Sequence, residues 1–134
     1  MKLSTTAGHA VRALVFLARR GGDGLLVAHV FAGARGIPEE YLGKTLKGLV
    51  LAGILLSSRG PDGGYRLARP AKRITLLDVA EAVDGPVRGE APHWAAGAEG
   101  ARLDGRLQQA CDAAAEVVRS RLRKVSIADL VGEG

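Results

Sequence analysis

The stretch that decides the fold is residues 36–67, which read GIPEEYLGKTLKGLVLAGILLSSRGPDGGYRL. After Pro38, a residue suited to the first turn of a helix, leucine and valine recur every three or four positions. Beyond Gly53 this period is lost, and residues 54–59 and 65–67 have the composition of strands. The turn between them contains three glycines and a proline. The stretch therefore predicts a helix followed by a β-hairpin.

Two further helices are predicted before this stretch. Apolar residues recur at helical spacing over residues 4–20, with Ser4 or Thr5 as the N-cap. A short helix is expected over residues 28–34, and Gly36 ends it. A short helix, a glycine-containing turn, a second helix with a polar start and a basic hairpin are together typical of a winged helix-turn-helix.

Helices are also predicted after the hairpin. Thr75 is expected to cap a helix over residues 76–83, whereas residues 86–102 have no clear period and predict a loop. The strongest amphipathic pattern spans residues 103–125, and Ser126 is expected to cap a last short turn. The predicted fold class is mostly α with a small β-hairpin, namely a winged helix-turn-helix DNA-binding domain plus a long C-terminal dimerisation helix.

Charge is divided unevenly along the chain. Residues 1–73 hold 12 Lys and Arg against 4 Asp and Glu, whereas residues 74–134 hold 7 against 10. A basic half joined to a mildly acidic half suggests that the first half faces a polyanion, although a solvated basic surface has the same composition. We therefore predict a DNA-binding head over residues 1–73, and a helical linker, a loop and a dimerisation helix over residues 74–134.

The apolar composition favours an oligomer. Of the 63 hydrophobic residues 22 are alanine, so a monomer of 134 residues would have a thin core. The long helix either packs on its own domain or pairs with the same helix of a second copy, and we predict a homodimer through this helix. Phe16 lies opposite the apolar face of the first helix, where it is either a subunit contact or ordinary exposed surface.

Several other classes of protein are disfavoured. The sequence Gly43-Lys44-Thr45 lacks the earlier glycine of a phosphate-binding loop. No nucleophile–base or paired-carboxylate arrangement is found either, so we predict that the protein is not an enzyme. His9, His29 and His93 are too far apart to suggest a metal site, and no cofactor is predicted. No signal peptide or membrane span is recognised, and the expected location is the cytoplasm.

We predict that the partner is double-stranded DNA at a promoter or operator. In a winged helix-turn-helix the second helix of the motif enters the major groove and the wing reaches the minor groove or the backbone. Lysines there neutralise phosphates, hydroxyls donate hydrogen bonds, and an arginine suits a narrow minor groove. The predicted DNA-binding residues are Lys2, Glu40, Tyr41, Gly43, Lys44, Thr45, Lys47, Arg59, Gly63 and Arg66.

Five segments also resemble one bacterial family of transcriptional regulators, the Rrf2 family, which includes the IscR, NsrR and CymR types. They are MKLST (1–5), GIPEEYL (36–42), SRGPDGGYRLA (58–68), ITLLDV with EAVDGP (74–86) and SIADL (126–130). The resemblance covers essentially the whole chain. It implies a homodimeric winged-helix repressor or activator, dimerised through the long C-terminal helix. It also implies DNA contacts for Tyr41, Gly43 and Lys44 in the recognition helix and a minor-groove contact for Arg59.

The chain departs from the family pattern at two places. Many members have an acidic base-reading residue where this chain has Gly43, which suggests altered or relaxed sequence preference. Iron–sulfur members carry three cysteines before the long helix, but residues 86–104 contain none and the single cysteine is Cys111. We therefore expect a cluster-free regulator, with repression as the leading function.

Two alternatives remain open from the sequence. One is a winged-helix protein-interaction module that has lost DNA reading. The other is a sensor of thiol oxidation or of a small molecule. It would act through the 86–102 loop, with Trp94 in a pocket, or through Cys111. The simpler interpretation of Cys111 is a buried, inert thiol.

Overall fold

The computed structural model describes residues 2–93 and 97–132. Trp94, proposed as a pocket residue, lies outside the described residues. The elements in chain order are α1 (Thr5–Arg20), α2 (Ala28–Arg35), α3 (Glu39–Leu51), β1 (Leu55–Ser58), β2 (Gly64–Leu67), a 3-10 turn (Ala71–Arg73), α4 (Leu76–Asp84), α5 (Gly97–Arg123) and α6 (Ile127–Val131). The predicted fold class is confirmed, because the winged helix-turn-helix consists of α1 to β2 and is followed by a long helix.

Helix α1 packs against most of the other elements. Its buried face is formed largely by small side chains, Ala7, Ala10 and Ala13, together with Leu14 and Leu17. Because alanine has a short side chain, helices α3, α4 and α6 all pack closely against this face. The three buried alanines of α1 therefore serve close helix packing within the chain.

The start of α1 is fixed by the end of α4. Ser4 is the N-cap, as expected, and its hydroxyl accepts a hydrogen bond from the Ala7 amide at 2.9 Å. The same hydroxyl donates to Asp84 Oδ1 at 2.5 Å, and the Ser4 amide donates to Asp84 Oδ2 at 3.4 Å. Asp84 thus joins the two helices at a point where backbone N–H groups would otherwise lack partners.

Helices α4 and α6 begin with the same motif and lie side by side at their starts. Thr75 and Ser126 each accept a hydrogen bond from the amide three residues later, and Asp78 and Asp129 complete the two capping boxes. The predicted caps are therefore confirmed. The backbone of the two segments is also paired, because the Leu76 amide donates to the Val125 carbonyl at 2.8 Å.

One hydrophobic cluster holds these elements together. It includes side chains from both sides of residue 73, since Val79 and Ile127 belong to the same cluster as Leu14 and Leu46. The predicted division at residue 73 is therefore not a division between two cores. It stays a proposal about which part of the chain meets DNA.

A third backbone segment pairs with the two strands of the hairpin, which the sequence pattern did not predict. Strands β1 and β2 pair antiparallel, with Leu55 opposite Leu67 and Ser58 opposite Gly64. Leu26, between α1 and α2, forms an isolated bridge with Tyr65 through two backbone hydrogen bonds of 2.8 Å. This bridge ties the hairpin to the segment before α2.

The prediction of a loop over residues 86–102 is wrong in its second part, because α5 already begins at Gly97. The glycines at 97 and 100 suggested a loop. Ala98, Glu99, Ala101 and Arg102 are good helix formers, and each glycine inside a helix costs only about 1 kcal/mol relative to alanine.

A transmembrane segment would need a longer uninterrupted apolar run than any helix of the described residues provides.

The burial of two side chains differs from one of the expectations for each. Phe16 is not ordinary exposed surface, because it is half-buried and its ring meets that of Phe31 edge-on at 5.2 Å; a subunit contact through Phe16 stays a prediction. Cys111 is half-buried rather than buried. The reason is that α5 lies against α4 and the segment around Gly89 on one side only.

We expect Thr75→Ala to lower the free energy of unfolding by about 1 kcal/mol, because the Asp78 amide loses its capping acceptor. Urea denaturation measures this change. Thr5→Ala is the matched control, since Thr5 is exposed at the start of α1 and caps no helix. Equal losses from the two substitutions would contradict the assigned cap.

Candidate nucleic-acid interface

Helix α3 has one buried face and one polar face. Leu42, Leu46 and Leu49 are completely buried and fix the helix against the core. The turn before it is set by Gly36, whose φ of +66° is the left-handed conformation that glycine adopts without strain. As a result, the other side of the helix faces solvent.

The exposed face of α3 carries three of the predicted DNA-binding side chains. Glu40, Lys44 and Lys47 are all exposed and follow one another at four and three residues, a spacing that places them on the same side of a helix. They form a polar stripe that is free to meet a second molecule. We call these three residues the α3 stripe.

Tyr41 and Thr45 are held by contacts within the chain. The Tyr41 hydroxyl contacts the Thr6 hydroxyl of α1, and the His9 ring meets the Tyr41 ring edge-on at 5.9 Å. Thr45 is only 6% exposed, and its hydroxyl donates to the Tyr41 carbonyl at 3.1 Å. The structure therefore does not place the Thr45 hydroxyl on the exposed face of α3, and it makes Tyr41 a link between α3 and α1.

No local pattern in the sequence marks the contact between Tyr41 and Thr6. Thr6 and Tyr41 are 35 residues apart, and neither residue type at such a distance indicates contact. Only the close approach of α1 to the start of α3 brings them together. Lys2 is exposed just before α1.

Gly43 is not required by the packing of α3. A Cβ atom added at Gly43 would meet no heavy atom within 4 Å. At 100° per residue Gly43 lies beside the α3 stripe, on the side away from Tyr41, and its missing side chain leaves open space there. Since packing within the chain does not require glycine here, a molecule that binds to the exposed face of α3 is the better explanation for it.

The wing is a tight turn between β1 and β2. The Gly63 amide donates to the Gly60 carbonyl at 2.9 Å, and Gly60 has a φ of +97°. A Cβ at Gly63 would collide with the backbone of Ser58 and Arg59, so only glycine fits this position. Gly63 is thus a shape-determining residue of the wing.

The two arginines of the wing have different surroundings. Arg59 is exposed at the start of the turn. Arg66 lies opposite Leu56 in the hairpin and is half-buried, and its Nε has no hydrogen-bond partner within the described residues. Arg69, the next arginine, contacts Asp78 of α4 at 3.4 Å and is directed away from the wing.

The cations of this surface have no intramolecular counter-ions. Over residues 2–93 and 97–132, the carboxylate pairs within 4.0 Å involve Arg69 and Arg119. Lys44, Lys47 and Arg59 are in neither pair. Unpaired cations on a helix and an adjacent hairpin are the arrangement that attracts a phosphate backbone.

Comparison with known proteins agrees with this geometry. The family model "Rrf2: Iron-dependent Transcriptional regulator" matches residues 3–133. The chain belongs to the Rrf2 family. The matched residues contain α1 to α6, so both the winged helix-turn-helix and the long helix belong to the family domain.

Individual relatives are similar over much of this chain. An HTH-type transcriptional regulator of Mycobacterium tuberculosis is 39% identical over 87 residues, which are 65% of this chain and 54% of that protein. The regulator IscR of Cereibacter sphaeroides is 39% identical over 110 residues, 81% of this chain and 70% of the relative. This Rrf2 chain thus spans about half the length of the first relative.

The fold is shared with a solved structure. CymR of Bacillus subtilis, described as the global cysteine regulator, superimposes with a TM-score of 0.77. The superposition covers 100% of this chain and 98% of CymR at 23% sequence identity. At that identity the likeness shows the winged-helix fold with its long helix.

The residues of this Rrf2 chain do not fit an iron–sulfur cluster held by cysteines. The full sequence contains one cysteine, Cys111, in the middle of α5. Among the described residues no three His, Cys, Asp or Glu side chains come together in a metal-binding group. Because such clusters are normally held by several thiolates, the donor set is too small.

We expect Gly63→Ala to lower the free energy of unfolding by about 1 kcal/mol or more, because the added methyl group overlaps the wing backbone. Gly33→Ala is the control, since its Cβ would meet nothing within 4 Å and alanine favours helix α2. Thermal unfolding of both variants measures the difference. A Gly63→Ala protein as stable as Gly33→Ala would contradict the described wing.

Proposed function

We propose that this Rrf2 chain is a homodimeric, sequence-specific repressor that binds operator DNA with α3 in the major groove and the wing in the minor groove. The observation that carries the proposal is the exposed α3 stripe, whose lysines have no carboxylate partner, next to an equally unpaired Arg59. Such a surface has a winged-helix geometry and the charge that DNA requires.

Each part of the interface has its own role in this proposal. Lys44 and Lys47 contact phosphates or base edges, and Glu40 accepts hydrogen bonds from bases. Arg59 enters the minor groove, and Gly63 and Arg66 shape the hairpin that carries it. Thr45 supports α3 from inside the domain, whereas Tyr41 is 38% exposed and can contact DNA beside the α3 stripe. Lys2 lies at the edge of the contact.

Gly43 tunes which sequences are bound. An acidic side chain at this position would accept a hydrogen bond from a cytosine amino group. Glycine removes that contact and leaves open space, as the surroundings of Gly43 permit. The operator of this regulator should therefore differ at the base pair that faces Gly43.

A second copy of the chain is proposed to cover α5. Only Ala115 of this helix is buried, whereas Leu103, Leu107 and Val117 are exposed by 58%, 42% and 62%. Together with exposed Ala110 and Ala114 they repeat at four and three residues, the spacing of a helix-pairing seam. We call these five residues the α5 stripe.

A two-fold dimer through the α5 stripe explains the division of charge. It presents two basic heads of residues 1–73 to one duplex, and the more acidic residues 74–134 form the dimer contact away from the phosphates. Two half-sites about one helical turn apart are then read together. The regulator acts where its operator is, in the cytoplasm.

Repression follows from operator binding alone. A dimer that occupies a promoter excludes the polymerase without any further contact, so the DNA-binding surface is sufficient for this activity. The signal that releases it does not involve a cysteine-held cluster, because the donor set does not fit one.

We expect Arg59→Ala and Lys44→Ala each to weaken operator binding about tenfold, because each removes a cation from the DNA contact. Fluorescence anisotropy with a promoter duplex, repeated over a range of salt concentrations, measures the affinity and its salt slope. The slope should decrease by about one for each lost phosphate contact. Lys124→Ala, an exposed lysine beyond α5, should change neither quantity. Binding that is insensitive to salt, or equally weakened by Lys124→Ala, would refute the proposed surface.

We expect Leu107→Asp to convert the dimer to a monomer, because a buried unpaired carboxylate in the α5 seam is strongly unfavourable. Gln109→Asp is the matched control, since Gln109 is exposed on α5 but lies outside the α5 stripe. Light scattering after gel filtration gives the mass of both variants. A Leu107→Asp protein that keeps the mass of the unmodified protein would contradict dimerisation through this stripe.

A further inference from the structure

A groove rich in arginine lies on the outer face of α1, apart from the DNA-binding residues. Its volume is about 600 Å³, a size common among small-molecule sites. The floor is apolar and the rim is cationic. The groove is lined by Val11, Val15 and Phe16 on the floor and by Arg12, Arg19, Arg20 and Arg35 around them.

Two of the guanidinium groups are held in place by aromatic rings. The Arg20 guanidinium carbon is 4.4 Å from the centroid of the Phe16 ring. That of Arg35 is 5.3 Å from Phe16 and 3.8 Å from Phe31, and Arg35 also donates to the Phe31 carbonyl at 3.5 Å. Stacking fixes the planes of the guanidinium groups while leaving most of their N–H donors available.

No carboxylate neutralises this cluster within the described residues. The ion pairs found over residues 2–93 and 97–132 involve Arg69 and Arg119, and none of the four groove arginines is within 4.0 Å of an acidic oxygen. The four exposed cations surround one groove, so their charges add to a positive potential that favours an anion there. An anion bound there would gain charge-assisted hydrogen bonds from donors that are already oriented.

We propose that this groove binds a small organic anion, a carboxylate with an aromatic or aliphatic body. The carboxylate contacts Arg20 and Arg35, and the apolar body lies on Phe16, Val11 and Val15. Both halves of the ligand are needed, because an inorganic anion leaves the floor uncovered and a neutral ligand leaves the guanidinium groups without a partner.

This site is separate from the α3 stripe and the wing, so the inference does not rest on the proposed function. None of the α3 or wing residues lines the groove. The ligand would nevertheless contact α1, the helix whose Thr6 and His9 hold Tyr41.

The test is isothermal titration calorimetry on the full chain with 2-naphthoate as the probe. We expect saturable binding of one probe per chain, with at least about tenfold weaker binding of inorganic phosphate and of neutral 2-naphthamide. Arg20→Gln combined with Arg35→Gln should weaken 2-naphthoate binding at least about tenfold. Arg73→Gln, an exposed arginine outside the groove, should leave it unchanged.

A second variant protects the test against loss of folding. Arg12 is an exposed rim residue whose side chain stacks on no ring in the described residues, so Arg12→Gln should leave thermal unfolding unchanged and still weaken 2-naphthoate binding. Absence of binding, equal affinity for 2-naphthamide, or indifference to both groove variants would overturn the proposal.

Two other results would assign the groove to a macromolecule and overturn the proposal as well. A lower DNA affinity and salt slope in the groove variants would make it a DNA contact. A change in their mass by light scattering would make it part of the subunit interface. A protein that binds 2-naphthoate but fails to bind promoter DNA would leave the proposal intact and refute only the repressor function.

Discussion

The close packing of the alanine-lined face of α1 is the contact on which the rest of the structure depends. Ala7, Ala10 and Ala13 are buried without taking up much volume, so α3, α4 and α6 all reach the same helix. Helix α3 is attached to this side of α1 through Tyr41 and Thr6, and α4 through Asp84 and Ser4. A larger side chain at any of the three alanines would push these helices apart and move the exposed face of α3 with them.

The distribution of charge over this scaffold separates two kinds of surface. The cations of α3 and the wing are exposed and unpaired, whereas Arg69, the next arginine along the chain, is paired with Asp78 and helps to hold α4. The same residue type thus serves either binding or folding, depending on whether a carboxylate is in reach. The α5 stripe differs again, because it is apolar and exposed, a combination that favours a protein partner over a polyanion.

The sequence was most informative where structure depends on neighbours in the chain. The first cap, predicted at Ser4 or Thr5, the caps at Thr75 and Ser126 and the glycine-rich wing all depend on contacts within a few residues. The two capping boxes are an addition of the structure. The start of α5 was wrongly predicted as a loop, because its two glycines are typical of loops although the residues around them favour a helix. The link from Tyr41 to Thr6 and the contact of Phe16 with Phe31 join distant segments, and no local pattern marks such contacts. The site was therefore predicted as a set of exposed residues, and the burial of Thr45 became visible only in the folded chain.

In the proposed complex two copies of this Rrf2 chain read one operator with α3 and the wing. Hydroxyl-radical footprinting on the promoter DNA that the protein selects from its own genome tests this arrangement. We expect two symmetric protected segments about one helical turn apart, with minor-groove protection beside each that disappears in the Arg59→Ala protein. A single protected segment, or protection spread evenly along the duplex, would contradict it.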